Sequence, residues 1–283
     1  MATSGQSGSS QSGDEGLSNL DSARRVTLRA EVLEAGGLGR RFLLAEPSGT
    51  PSVIVISLHG SRSSPERQAR LSSMERLCSS GAAVAFPEAS WPLGSGFEWD
   101  LEGDCEYLRV LVSWLQACYP EADRRVCLAG MSGGARMASR FTSLHPESVQ
   151  VLGAVAGLRA PAQTRLKHLV RVVAFHGTAD RINPFAGSGT ERWNESVPDA
   201  AAAWARALGL PSEPTRQELT GHLTQIGFGD PGEVPAVTLF VSDGAGHTWP
   251  GSRLPLFLRL ILGRTSKEID ATTEIWRSTS AAA

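Results

Sequence analysis

The chain has 283 residues, 41% of them hydrophobic, which is enough to bury roughly three quarters of its surface within one domain. A net charge of −2 and a pI near 6.3 give no basic footprint for nucleic acid or for an anionic membrane, and the Arg24-Arg25 and Arg40-Arg41 pairs read as solvated strand edges. No stretch approaches the roughly 18 apolar residues of a membrane span. The longest apolar run, Leu254 to Leu262, is interrupted by Pro255 and Arg259.

Residues 1–20 are rich in Gly, Ser and Gln with almost no bulky apolar groups, so they predict a disordered tail ahead of one domain over 21–278. The tail lacks the charged and apolar regions of a signal peptide, which leaves the location open between the cell interior and an exported form with its signal removed. Two alternating strands, Arg25–Val32 and Arg41–Ala45, fit an antiparallel hairpin around Gly36-Gly37. Further strands are expected at Val53–Leu58, Ala82–Phe86, Arg125–Ala129, Val151–Ala156, Arg171–Phe175 and Ala236–Val241. These later runs are continuously apolar, as parallel strands covered on both faces should be. Helical stretches are expected at Pro65–Ser80, Gly103–Cys118, Gly133–Leu144, Ser196–Leu208 and Ile269–Arg277. Eight strands alternating with helices predict an α/β class: a mostly parallel sheet with helices on both faces. Thr215–Pro235 reads as an irregular hairpin before the last strand, and Ser278–Ala283 as a frayed end.

Four cysteines allow two bridges in three connectivities, but each packs well as a small hydrophobe, so four mostly buried thiols are expected. Cys105 and Cys118 fall on the apolar side of the helix carrying Leu108, Leu111, Val112 and Leu115. No spacing suits zinc, and no metal or organic cofactor is called for.

The chemistry concentrates at strand ends. Gly130-Met131-Ser132-Gly133-Gly134 follows an apolar strand and opens a helix; such a turn lifts a serine hydroxyl clear of the sheet, and only small neighbours let the backbone pass that closely. Asp180 lies just beyond the strand Arg171–Phe175, and His247 beyond Ala236–Val241. A serine hydroxyl is a weak nucleophile that needs an imidazole base, and the imidazole needs a carboxylate to fix its tautomer. Ser132, His247 and Asp180 supply these in turn, with Asp243 as a rival acid on the histidine's own loop. The loop after Val53–Leu58 begins His59-Gly60-Ser61, and the backbone N–H groups of Ser61 and Gly133 are the expected oxyanion donors.

Several other residues are candidates for substrate contact. His59 and His176 each precede a glycine at a strand end, where a satisfied structural histidine is the plainer reading; His59 is kept as a candidate, with Met131 beside the serine. Trp91 and Trp99 flank a loop leaving the fourth strand, and Trp249 stands two residues after the base. Leu254–Leu262 reads as a buried connector or core helix; the alternative has Leu254, Leu256 and Phe257 covering an acyl site.

Leu58-His59-Gly60, Gly-Met-Ser132-Gly-Gly, Phe175-His-Gly-Thr-Ala-Asp180, His247-Thr-Trp249-Pro-Gly251 and Ile269-Asp-Ala-Thr-Thr-Glu-Ile-Trp276 together resemble the polyhydroxybutyrate depolymerase-like esterases, grouped with feruloyl and acetylxylan esterases. The resemblance runs from Val53 to Trp276 and implies an α/β-hydrolase fold. It also implies a secreted or cell-associated serine esterase acting on small or oligomeric polyester-type, feruloyl or acetyl esters. Peptidases and thioesterases share such a triad, and a non-catalytic binding module is the other class of reading.

Overall fold

The computed structural model describes residues 26–190, 193–211, 213–230 and 232–280. The Gly/Ser-rich tail, Arg25 and the last three alanines lie outside them.

Among the described residues, twelve strands and six α-helices follow in chain order. β1 (Arg29–Ala35) and β2 (Leu38–Ala45) form the expected hairpin, both reaching further toward a turn in which Gly36 and Gly37 take positive φ, while residues 26–28, expected in the first strand, lie outside it. Then come β3 (Val53–Leu58), α1 (Pro65–Ser72), β4 (Ala82–Pro87), β5 (Trp91–Leu93), β6 (Gly96–Glu98) and α2 (Gly103–Cys118). β7 (Val126–Met131), α3 (Gly133–Leu144), β8 (Val151–Val155), β9 (Arg171–Gly177) and α4 (Val197–Ala207) follow. The chain closes with β10 (Thr215–Thr220), β11 (Leu223–Phe228), β12 (Val237–Ser242), α5 (Leu256–Leu262) and α6 (Ala271–Ser280).

The main sheet runs β1-β2-β4-β3-β7-β8-β9-β12-β11-β10. Its centre, from β4 to β12, is parallel throughout. All eight expected strands are in it. The Thr215–Pro235 segment is more regular than expected: β10 and β11 pair with each other and with β12, extending the sheet to ten strands. β10 is exposed along its whole length, and with Leu219 as its one apolar residue it carries no apolar alternation to read.

Side-chain alternation in the central strands feeds two core layers. Ile54, Ile56, Leu128, Leu152 and Val172 face α2, α3 and α4, where Leu108, Leu111, Phe141 and Trp204 meet them. Val53, Val55, Ala129, Val151 and Val173 face the other way, onto Ala69, Met74, Leu77, Ala271 and Ile275. This double covering explains the continuous apolar runs.

Some boundaries shift for local reasons. The expected helix Pro65–Ser80 breaks at Ser73, whose φ of 50° is left-handed; residues 74–80 continue as a 3₁₀ segment. α6 starts at Ala271 rather than Ile269 and runs to Ser280, so Ser278 to Ser280 are helical, with the Ser278 hydroxyl donating to Glu274 O at 2.9 Å. The cysteines are all free thiols; Cys78, Cys105 and Cys127 are buried, but Cys118 ends α2 exposed instead of on its apolar side. Among the described residues, no helix is long and apolar enough to cross a membrane.

Candidate active site

Parallel pairing aligns the carboxyl ends of β7, β8, β9 and β12, with Met131 beside Val155, Val155 beside Phe175, and Gly177 beside Ser242. Loops leaving those ends therefore emerge at one edge, where open α/β sheets place their sites. Ser132 follows β7 directly with φ 53° and ψ −116°, a strained conformation for a residue with a side chain, and α3 begins at the next residue. Methyl groups on the flanking glycines would collide with backbone: at Gly130 with Gly134 C and O (both 2.5 Å), and at Gly134 with Leu58 O (2.4 Å). The glycines are there so that the first turn of α3 can sit against β7 and β3.

Asp180 is buried three residues beyond β9, and its carboxylate is fully engaged. Oδ1 accepts the backbone N–H groups of Ile182 and Asn183, each at 2.9 Å. Oδ2 accepts Nδ1–H of His247 at 2.7 Å. Burial alone would raise this carboxyl, but the hydrogen bond and charge of His247, the Asn183 N–H and the nearby His176 hold it below the ordinary aspartate value. Asp243, the rival acid, is surface-exposed; its Oδ1 accepts the Thr178 hydroxyl at 2.9 Å and orders the loop. The acid loop is tied back to the serine: Asn183 Nδ2 donates to Ala156 O at 2.7 Å, and a methyl on neighbouring Gly157 would lie 2.4 Å from Ser132 O.

Ser61, beyond β3, faces Gly133. A methyl on Gly133 would sit 2.4 Å from Ser61 Oγ, 3.1 Å from Ser61 N and 3.3 Å from Glu98 Oε1. The Ser61 hydroxyl donates to Glu98 Oε1 at 2.9 Å. Glu98 arrives there on the β5–β6 ribbon, which bridges back to the same loop through Arg62 N to Phe97 O and Phe97 N to Ser63 O, both 2.9 Å. Sequence reasoning missed Glu98, because three-residue strands leave no periodic signal.

The remaining candidates are placed differently. His59 is fully buried, with Nδ1–H donating to Gly60 O at 2.8 Å and Nε2 accepting Ala89 N–H at 3.2 Å. Burial lowers its pKa, so it is a neutral scaffold residue instead of a substrate contact. Trp99 is buried against it, ring centroids 5.0 Å apart, and donates Nε1–H to His59 O at 2.7 Å. Trp249 is a core residue whose indole N–H donates to Thr272 Oγ1 at 3.1 Å, so it walls no open pocket. Met131 is likewise buried in a core layer. Trp91 and Phe257 lie exposed on β5 and α5. α5 is not a buried connector or core helix: none of its residues is buried. His176, beneath Asp180, donates Nε2–H to Asn183 O at 2.8 Å, and burial lowers its pKa. Among the described residues, no group of three or more His, Cys, Asp or Glu side chains is arranged to hold a metal ion.

No protein-family model matches this chain, and no curated protein does. Solved structures do. The acetyl xylan esterase from Aspergillus awamori superposes with a TM-score of 0.61 at 16% identity, covering 78% of this chain and 94% of its own. TT1662 from Thermus thermophilus gives a TM-score of 0.51 at 18% identity, covering 78% of this chain and 91% of its own. At such identities the likeness is one of fold. The sheet order, the parallel centre, the helices on both faces and these superpositions together establish that this chain has the α/β-hydrolase fold.

Proposed function

We propose that the chain is a serine carboxylic ester hydrolase. The observation that carries this reading is the buried His247–Asp180 pair at the same sheet edge as a strained Ser132. In the proposed reaction His247 Nε2 takes the Ser132 proton as Oγ attacks the ester carbonyl carbon. Asp180 holds the imidazole by Nδ1–H and stabilises its positive charge. The backbone N–H groups of Ser61 and Gly133 receive the oxyanion, which is consistent with their close approach across the strand ends. The C–O bond of the intermediate breaks, and the alcohol leaves with the proton from His247. Water then attacks the acyl-enzyme, passing its proton to His247, and the acid departs as Ser132 regains a proton.

The substrates we propose are short acyl, feruloyl or acetyl esters, including polyester-type oligomers. The test is hydrolysis of p-nitrophenyl acetate, butyrate and octanoate and of a feruloyl ester by wild type and Ser132→Ala. A loss on the order of 10⁴-fold in kcat on the preferred ester is expected in Ser132→Ala. A loss below about tenfold would mean that Ser132 is not the nucleophile. No turnover of any ester by folded protein would move the reading to a peptidase or a binding module.

A further inference from the structure

α5 exposes Leu256 (76%), Phe257 (65%), Leu260 (87%) and Ile261 (69%), spaced so that all four share one outward face. Contiguous exposed groups of this size are costly in water unless something covers them. The surroundings are basic. From Gly251 to Lys267 the chain carries Arg253, Arg259, Arg264 and Lys267 and no acidic residue, a local excess that the whole-chain charge of −2 conceals. Against the helix lies a cavity of about 290 Å³ whose lining brings Arg181, Arg259 and Arg264 together with Leu260 and Ile261 of the apolar face. Two acids stand near this cleft: Asp180, between Ala179 and Arg181 of the lining, whose carboxylate is taken up by His247 and by the Ile182 and Asn183 N–H groups, and Asp243, next to Gly244, whose carboxylate accepts the Thr178 hydroxyl and whose backbone oxygen accepts Arg264 Nη2 at 2.5 Å.

We propose that α5 is a membrane-docking helix, laying Leu256, Phe257, Leu260 and Ile261 into the acyl region of an anionic lipid surface while Arg181, Arg259 and Arg264 hold lipid phosphate at its flank. Charge selects the occupant: an apolar face rimmed by arginines complements a surface with hydrocarbon below and phosphate above. Shape agrees, because a fluid bilayer yields to a protruding helix, whereas a protein partner would need a matching groove. Arginine stems cover apolar surface while their heads stay at the phosphate level. Docking would bring the candidate site to the membrane, since the chain leaving α5 is bonded to the histidine loop through His247 N to Leu262 O (2.6 Å) and Gly246 N to Arg264 O (2.8 Å). The proposal does not depend on the hydrolase reading.

The test is co-sedimentation of the full chain with vesicles of phosphatidylcholine alone or with roughly one third phosphatidylglycerol, where three arginines should favour the anionic vesicles on the order of a hundredfold. Leu260→Ser/Ile261→Ser should bind anionic vesicles at least about tenfold more weakly. Arg181→Gln/Arg259→Gln should lose affinity for anionic vesicles only, and added salt should mimic it. These side chains lie on the exposed helix and loop, so unfolding midpoints should stay at the wild-type value. Equal binding to both vesicles, no binding, or unchanged binding by the Leu260/Ile261 variant would overturn the proposal. So would a wild-type dimer that persists with vesicles and is lost in that variant, because a second copy would then cover α5.

Discussion

Ser61 and Gly133 meet across the gap between two strand ends, with the Ser61 amide nitrogen 3.1 Å from where a Gly133 side chain would begin. In the proposed reaction the backbone N–H groups of these two residues are the oxyanion donors. A methyl at Gly133 would press on both the Ser61 hydroxyl and its amide. Gly133→Ala should therefore lower kcat on the order of 10²-fold, the size of losing one oxyanion donor. Ser61→Ala in the same chain removes the 2.4 Å contact and should restore part of the loss. Steady-state kinetics of the two variants on one p-nitrophenyl ester check this; full activity in Gly133→Ala would place the oxyanion elsewhere.

Asp180 and Asp243 both neighbour the histidine loop, but only Asp180 reaches the imidazole. Asp180→Asn should cost on the order of 10⁴-fold in kcat, because an amide favours the wrong tautomer. Asp243→Asn should stay within about twofold, as exposed substitutions usually do. A larger loss at Asp243 than at Asp180, read from kcat for both, would reverse the assignment.

Much of this arrangement was legible in the sequence. α2 and α3 have the expected bounds, because each presents a regular apolar stripe between clear breaks at Gly103 and Ser132. The central strands were legible because both faces are covered and their runs are unbroken. What escaped depends on side-chain direction or tertiary contact. Trp249 stands beside the histidine in sequence, yet its ring turns inward to Thr272. The apolarity of Leu256–Leu262 ordinarily signals burial, but α5 projects outward. β5 and β6 are too short to show a period, and with them Glu98 went unnoticed.

His59 and His176 are buried and neutral, each with its pKa lowered from 6.5 by burial. The unfolded chain takes up these protons near pH 6.5 while the folded chain does not, so stability is complete above that pH and lost as pH falls below it. The slope is bounded at about 1.4 kcal/mol per pH unit for each histidine. Urea unfolding at pH 7.5, 6.5 and 5.5 tests this; equal stability at the lower two would mean that the histidines charge freely in the fold.

Asp104 is fully buried at the first turn of α2, where it accepts Arg40 Nη2 at 2.6 Å, Asp100 N at 2.9 Å and the Ser90 hydroxyl at 3.2 Å. It ties β2 to the loops on either side of the β5–β6 ribbon that carries Glu98. Asp104→Ala leaves the Arg40 guanidinium without its buried partner and should cost about 3–5 kcal/mol. Chemical denaturation measures it, and a cost under about 1 kcal/mol would class the pair with exposed ion pairs.

Ser132, as a nucleophile activated by His247, should react with a reagent that marks such serines covalently. Treating the protein with diisopropyl fluorophosphate, which transfers one phosphoryl group to an activated serine and releases fluoride, tests it most directly by peptide mass spectrometry. One adduct per chain is expected, on Ser132, formed far more slowly in His247→Ala and absent in Ser132→Ala. An adduct on another residue, or none on folded wild-type protein, would contradict it.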